Sequence, residues 1–235
     1  MRSGSVLPAG SVLTRTRQND MNDLREQFGD IDIYLFDQLL RGRIVPGMRI
    51  IDAGCGGGRN LIYLLRNGYD VEGADRDPAA VASVRALAGS LAPRLPASNF
   101  RIEAIEDMTF GDCSADVVIA SAVLHFARGP EHFSAMLGSI WRVLKEGGLL
   151  FARLASSIGI EGRITPTGDG RFCLPDGSER FLADERMLLD AGARLGGDLL
   201  DPIKTTIVQD QRAMTTWVLR KTVKVDRSKS RLAPD

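Results

Sequence analysis

Seven residues constrain this chain more than any others. Asp52-Ala53-Gly54-Cys55-Gly56-Gly57-Gly58 stands between a short apolar run, Arg49–Ala53, and a helical pattern over Asn60–Arg66. Glycine is needed where a ligand must lie against the main chain, because a side chain there would hold it off. The start of the following helix adds unpaired N–H groups and partial positive charge, suited to a carboxylate or a phosphate. A strand, a glycine loop and a helix in that order belong to an open α/β sheet that binds its ligand beyond the carboxyl ends of its strands.

The rest of the chain continues the pattern. Asp70–Ala74, Phe100–Ala104, Asp116–Ala120 and Leu149–Leu154 read as further strands. Asp116–Ala120 is almost wholly apolar, as a strand covered on both faces should be. Gly68 closes the first helix as a left-handed cap. Asp77-Pro78 opens a second, with Asp as N-cap and Pro at the first helical position. From Pro130, Phe133, Met136, Leu137, Ile140, Trp141 and Leu144 recur at helical spacing and form one apolar face. Lys145-Glu146-Gly147-Gly148 then turns the chain into the fifth strand. Strands and helices alternating in this way predict one α/β domain, a Rossmann-like doubly wound sheet of about seven strands, mostly parallel with right-handed crossovers. Ser156–Glu179, rich in Gly, Pro and charge, reads as a long loop or irregular cap. A helix near Asp184–Leu195 follows, then two strand-like runs, Ile203–Val208 and Met214–Leu219. Their short link, Gln209–Ala213, suits a hairpin that adds an antiparallel pair at one sheet edge. The expected organisation is a flexible arm (1–18), one domain (19–221) with a helical N-terminal lid (19–46) and a cap insertion (156–182), and a basic, solvated tail (222–235).

The glycine spacing separates two ligand classes. A dinucleotide fingerprint, GxGxxG, needs a third small residue to pack the helix close to the strand. Counted from Gly54 and Gly56 that position is Arg59, which is far too large; counted from Gly56 and Gly58 it is Leu61. The form present is DxGxGxG, whose strand-end acid is a poor neighbour for a pyrophosphate and a good partner for the ammonium of an amino-acid ligand. Asp75, at the end of the second strand, suits two ribose hydroxyls. It points to a nucleoside without choosing between ligands, and helix capping is the other use of an acid there.

Bulk properties exclude several classes. Lys+Arg and Asp+Glu both number 30, so net charge makes no case for nucleic acid or membrane. Three cysteines without CxxC spacing argue against a disulfide framework and a zinc site. Two histidines, His125 and His132, without an HExxH pattern argue against a metal-centred mechanism. No run reaches transmembrane length and the first residues lack a signal peptide's apolar core, so the expectation is a cytoplasmic protein.

Asp52–Gly58, Val71-Glu72-Gly73-Ala74-Asp75, Asp116–His125 and Leu144–Gly148, in that order across Ile50–Leu154, resemble the successive motifs of class I S-adenosylmethionine (SAM)-dependent methyltransferases. Within that superfamily, Gly54–Leu61 with Tyr63-Leu64 and Gly68-Tyr69-Asp70-Val71, and the terminal Trp217–Lys221, are similar to tellurite-resistance and related small-substrate methyltransferases. The resemblance implies a seven-stranded sheet with an antiparallel last strand, SAM as cofactor, S-adenosylhomocysteine as product, and a small-molecule acceptor. It implies cofactor contacts from Asp52, Ala53 and Gly54 toward the methionine portion, close backbone approach at Gly56 and Gly58, and a contribution from Asn60. Asp75 would hold the ribose with Arg76 flanking the adenine. Ile105-Glu106-Asp107 would form the adenine-binding turn, with either Glu106 or Asp107 as the accepting acid. Ser121 would lie near the methionine portion.

Candidate catalytic and substrate residues follow. His125 either faces the acceptor and takes its proton or packs under a loop. Arg153, charged on an otherwise apolar strand, either orients an anionic substrate or forms a buried salt bridge. Arg59 either meets a carboxylate or pairs with Asp52 or Asp75. Tyr34 and Phe36 stand where an N-terminal helix would close over the site, with plain core packing the alternative for Phe36. Two other readings remain in play: an NAD(P)-dependent oxidoreductase on a similar fold, which the bulk of Arg59 disfavours, and a SAM-binding protein without catalysis.

Overall fold

Ile50, Ile51, Val117, Val118, Ile119, Leu150 and Phe151 are all fully buried. Strands that bury both alternating faces must be covered by helices on both sides, which is what a parallel sheet requires. The computed structural model describes residues 24–223. The expected N-terminal arm and all but the first two residues of the expected tail lie outside the described residues.

In chain order the elements are α1 (Ile33–Leu40), β1 (Arg49–Ala53), α2 (Ile62–Arg66), β2 (Asp70–Asp75), α3 (Pro78–Leu91), β3 (Phe100–Ile102), β4 (Ala115–Ser121), α4 (Pro130–Val143) and β5 (Leu144–Ser156). Then come β6 (Thr165–Gly168), β7 (Arg171–Cys173), β8 (Glu179–Phe181), α5 (Glu185–Leu195), β9 (Gly197–Leu199), β10 (Lys204–Val208) and β11 (Arg212–Lys221). The main sheet runs β3-β2-β1-β4-β5-β11-β10, parallel through β5 and antiparallel at β11 and β10. The expected parallel sheet with an antiparallel end is therefore present. An unexpected short strand, β9, pairs with the Leu219–Lys221 end of β11.

One sheet face packs Ile51, Val118, Leu150 and Trp217 against α4 and α5. The other packs Ile50, Val71, Val117 and Phe151 against α1, α2 and α3. β1 has β2 on one side and β4 on the other, with crossovers leaving in opposite directions. The crevice that such a switch point opens lies beyond the carboxyl ends of β1 and β4.

Several local expectations change. The N-terminal helical pattern breaks in two: a helical turn over residues 24–28 stops at Gly29, and α1 restarts with Asp32 as its cap, the carboxylate accepting from the Tyr34 N–H. The helix after the glycine loop begins at Ile62 rather than Asn60, because Leu61 N–H donates to the Gly58 carbonyl in a turn. That leaves a five-residue helix with little dipole to offer a ligand. Ser156–Glu179 is not irregular. It contains β6-β7-β8, a separate antiparallel sheet, whose strands of three or four residues are too short to show alternation. The β10–β11 hairpin turns through Gln209 and Asp210, both with positive φ, as a tight primed turn requires.

Trp217 is fully buried at the centre of β11, opposite Ala152 and over the small Gly192 of α5. Trp217→Ala should destabilise the fold by about 3–5 kcal/mol. Urea denaturation should show the midpoint falling with little change in slope.

Candidate active site

The glycine loop is shaped by two close approaches. A Cβ on Gly54 would lie 2.5 Å from Val123 Cγ2, so the main chain at the end of β1 lies directly against a side chain of the segment after β4. A Cβ on Gly58 would lie 2.8 Å from Leu87 Cδ2 and 2.9 Å from Val84 Cγ2, which seats the loop on α3. Gly58 thus packs structure against structure. Gly56 faces a cleft instead, and its N–H donates to Asp75 Oδ2 at 2.9 Å. The other oxygen of Asp75 accepts from the Asp77 N–H at 3.0 Å, while Asp77 itself caps α3.

This cleft has a volume of about 300 Å³. Gly54, Gly56, Asp75 and Arg76 form one wall; Ala104, Ile105 and Glu106 form a second; Ala122, Val123 and Phe126, with His132 and Met136 of α4, close the third. Of the two candidate acids in the turn after β3, Glu106 lines the cleft and Asp107 is exposed. Burial alone would raise the pKa of Glu106, but its own backbone N–H, a hydrogen bond from His132 and the charge of Arg128 outweigh burial and hold it below the usual range. His132 Nδ1 accepts from the Arg128 N–H, so in the neutral ring Nε2 carries the proton and donates to Glu106 at 2.8 Å.

Asp52 sits beneath the loop, 2% exposed, with Oδ1 lacking a partner among the described residues. Burial pushes its carboxyl up to about 7, opposed by the charge of Arg59 and aided by that of Asp75. Ala53 is buried beside it, and Ser121, also buried, has its hydroxyl 3.5 Å from Arg59 Nη2. The Cys55 thiol is likewise buried, and desolvation raises its pKa strongly, which makes it inert. Asn60 turns away from the cleft: its Oδ1 accepts from the Asp32 N–H at 3.0 Å.

A second cavity, about 350 Å³, lies on the other side of Ala122, which lines both. Ala122 has φ +61, a left-handed conformation that costs a non-glycine residue about 1–3 kcal/mol, and its N–H donates to the Arg153 carbonyl at 2.7 Å. The 3₁₀ turn Leu124–Phe126 separates the cavities, with His125 facing the second and Phe126 the first. His125 is buried, and desolvation, then the charge of Arg180, push its pKa down to about 4. Its Nδ1 accepts from the Ala155 N–H at 3.1 Å, so the proton of the neutral ring sits on Nε2. His125 therefore offers this cavity a donor rather than a base.

Arg153 lines the same cavity and pairs with Asp32, Nη1 to Oδ2 at 2.7 Å; the Asp32 side chain is fully buried. Tyr34 stands between Arg153 and Lys204, each 5.3 Å from its ring centroid, and its hydroxyl lies 2.8 Å from Thr206 Oγ1. Phe36, half-buried, packs on Phe28, edge to face at 4.9 Å. Asp32 was not singled out in the sequence. Its signal was an Asp directly before a helical apolar run, the pattern of an N-cap, but its second bond to Arg153 spans 121 positions and has no local trace.

Two ionisations give a stability test. A folded-state pKa of about 7 for Asp52 means that the native protein binds more protons than the unfolded chain between about pH 4 and 7, so this group's contribution declines as pH rises through that window. His125, depressed to about 4, contributes in the opposite sense, its share being lost as pH falls below about 6.5. The difference between wild type and Asp52→Asn isolates the first. The variant should gain stability relative to wild type as pH rises from 4 to 7, read by urea denaturation at each pH, and a constant difference would contradict the burial of an unpaired carboxyl.

Comparison with known proteins agrees with this geometry. Residues 51–152 match the family model described as a methyltransferase domain. An uncharacterized methyltransferase of Synechocystis sp. is 31% identical over 106 residues, 45% of this chain and 46% of the relative. The chain spans about half the length of the curated relatives it matches. Among solved structures, a SAM-dependent methyltransferase of Methanosarcina mazei superposes with a TM-score of 0.64 at 21% identity, over 79% of this chain and 98% of that one. The 1,6-didemethyltoxoflavin-N1-methyltransferase of Burkholderia thailandensis, crystallised with 1,6-didemethyltoxoflavin and S-adenosylhomocysteine, gives 0.62 at 17% identity over 94% of each chain. Residues 51–152 thus match a methyltransferase domain, and the order and direction of the strands are those of the fold shared with these solved methyltransferase structures.

Proposed function

We propose that this protein transfers the methyl group of SAM to a small-molecule acceptor, with SAM in the glycine-loop cleft and the acceptor in the cavity across Ala122. The observation that carries this reading is the shared wall: two cavities of small-molecule size lie at the carboxyl end of β4 and have Ala122, a residue with a short side chain, in common. The cleft residues suit SAM. Asp52 is a buried carboxyl lacking a partner on Oδ1, and an ammonium nearby would favour its ionised form. Asp75 keeps lone pairs for ribose hydroxyls beside the exposed backbone of Gly56. Glu106, held ionised, can accept from an adenine amino group, while Asp107 faces solvent.

When bound, SAM supplies a methyl carbon on a sulfonium that is already a good leaving group. The protein's share is to bind, align and exclude water, and alignment alone can lower such a barrier substantially. Arg153, fixed by Asp32 and packed over the Tyr34 ring, lines the acceptor cavity next to Ala122. His125 holds a proton at Nε2 and can donate it to an acceptor atom without removing one. A donor in that position suits a nucleophile that is ionised or soft before it binds, such as a thiolate or carboxylate. The neighbour named 1,6-didemethyltoxoflavin-N1-methyltransferase was crystallised with 1,6-didemethyltoxoflavin, and this supports a small acceptor here.

Thermal denaturation tests the cofactor assignment. SAM or S-adenosylhomocysteine at about a hundred times its dissociation constant should raise Tm by roughly 5–10 °C. NAD and NADP should not, and Asp75→Ala should abolish most of the shift; a shift with NAD alone would overturn the assignment. For the histidine, the kcat/KM profile should lack an ionisation from His125 between about pH 5.5 and 8. His125→Gln, which keeps a donor, should retain more activity than His125→Ala. A profile governed by a base that disappears in both variants would restore the proton-abstraction role.

A further inference from the structure

We infer that the acceptor is a small organic oxyanion, an apolar body carrying a carboxylate or a phosphate, anchored at the second cavity by Arg180 and Arg212. The inference rests on the methyltransferase reading above and goes further, because it assigns a charge and two specificity residues to the acceptor.

The cavity wall is rich in donors and poor in acceptors. Four arginines line it, Arg59, Arg153, Arg180 and Arg212. Only Arg153 has a carboxylate within 4.0 Å, that of Asp32; the other three form no ion pair among the described residues. Asp176 is the single carboxylate in the wall, and its Oδ1 is taken by the N–H and hydroxyl of Ser178. Asp32 pairs with Arg153, the charge of Arg59 acts on Asp52, and Asp176 stands within electrostatic reach of both Arg180 and Arg212, so one carboxylate serves those two guanidiniums and an excess of positive charge is left, to which His125 adds a neutral N–H. A guanidinium has five donors and no acceptor, so a wall of this make-up is complemented by a ligand that brings acceptor oxygens and negative charge. Leu174, Val208 and Met214 supply an apolar side against which the body of such an acid can lie.

The two anchors come from outside residues 51–152. Arg180 belongs to β8 of the small sheet, and Arg212 opens β11 after the tight hairpin turn. Arg180 also stacks 5.0 Å over the ring of Phe126, the residue that faces the cofactor cleft. The small sheet and the hairpin therefore bring two cations without an ion pair among the described residues to a cavity walled by Ala122, just after β4, and by Arg153 and Ala155 of β5. An anion here also lies next to the site proposed for a sulfonium, so acceptor and cofactor attract each other across Ala122.

Isothermal titration of wild type saturated with S-adenosylhomocysteine, using benzoate, phenyl phosphate and benzamide as probes, tests this. Benzoate or phenyl phosphate should bind at least about tenfold more tightly than the neutral amide and weaken with added salt. The stronger of the two identifies the oxyanion. Arg180→Gln and Arg212→Gln should each raise that dissociation constant about tenfold while leaving S-adenosylhomocysteine affinity within about twofold. Failure of both anions to outbind benzamide, or indifference of their binding to both substitutions, overturns the inference. Absence of S-adenosylhomocysteine binding overturns the cofactor assignment instead, and the same three probes titrated into the unliganded protein then read the anion site by itself.

Discussion

The contact between Gly54 and Val123 is the constraint on which the rest of the site depends. With a Cβ at position 54 only 2.5 Å from Val123 Cγ2, the main chain leaving β1 passes directly against the Val123 side chain of the segment leaving β4. That closeness lets both ends bend away from the sheet at one point. Gly54 bends with φ +83 and Ala122 with φ +61. The two bends make the walls of the cleft, and Ala122 carries a strained backbone to do so. Strain at a residue shared by two cavities is the kind that a fold retains because both cavities need the bend.

The two cavities differ in charge, and this follows from where their side chains originate. The cleft takes its acids, Asp75 and Glu106, from the end of β2 and the turn after β3, and Asp52 lies buried beneath its glycine loop. The second cavity takes its arginines from the glycine loop, β5, β8 and β11. A cationic ligand portion is favoured on one side of Ala122 and an anionic one on the other. Arg153 is the hinge of this arrangement. Placed on a strand that is otherwise buried, it is held by Asp32, and the same aspartate caps α1 and receives Asn60 through its N–H. One residue, through its carboxylate and its backbone N–H, therefore fastens the N-terminal helix, the fifth strand and the loop after the glycines together. Removing either partner would leave the other half-buried and unpaired, a much larger cost than the pair itself contributes.

Much of this was legible in the sequence, because the signals are local. A five-residue apolar run before glycines is a buried strand, Asp77-Pro78 is a helix start, and Gly68 after the first helix is left-handed; each is present in the structure. The acid at the strand end and the glycine spacing chose between ligand classes without any tertiary information. Local signals misled where strands were very short. In β6, β7 and β8, three or four residues between turns cannot display a period of two, so a sheet read as an irregular cap.

The side chains tell the same story more sharply. Glu106 and Asp107 are neighbours of the same chemistry, and only the direction of a 3₁₀ turn puts one in the cleft and the other in solvent. His125 could be a base by sequence; a backbone N–H from Ala155, thirty positions away, fixes its free nitrogen as a donor. Asn60 and Gly58 stand within a ligand-binding motif, yet one serves the N-terminal segment and the other serves helix packing. By itself, the sequence determined the order of the elements, the hydrophobic layers and the type of loop, since these depend on residues within a few positions of each other. The tertiary structure decided which acid, which histidine nitrogen and which arginines face each cavity, since direction and burial are set by contacts between segments far apart in the chain.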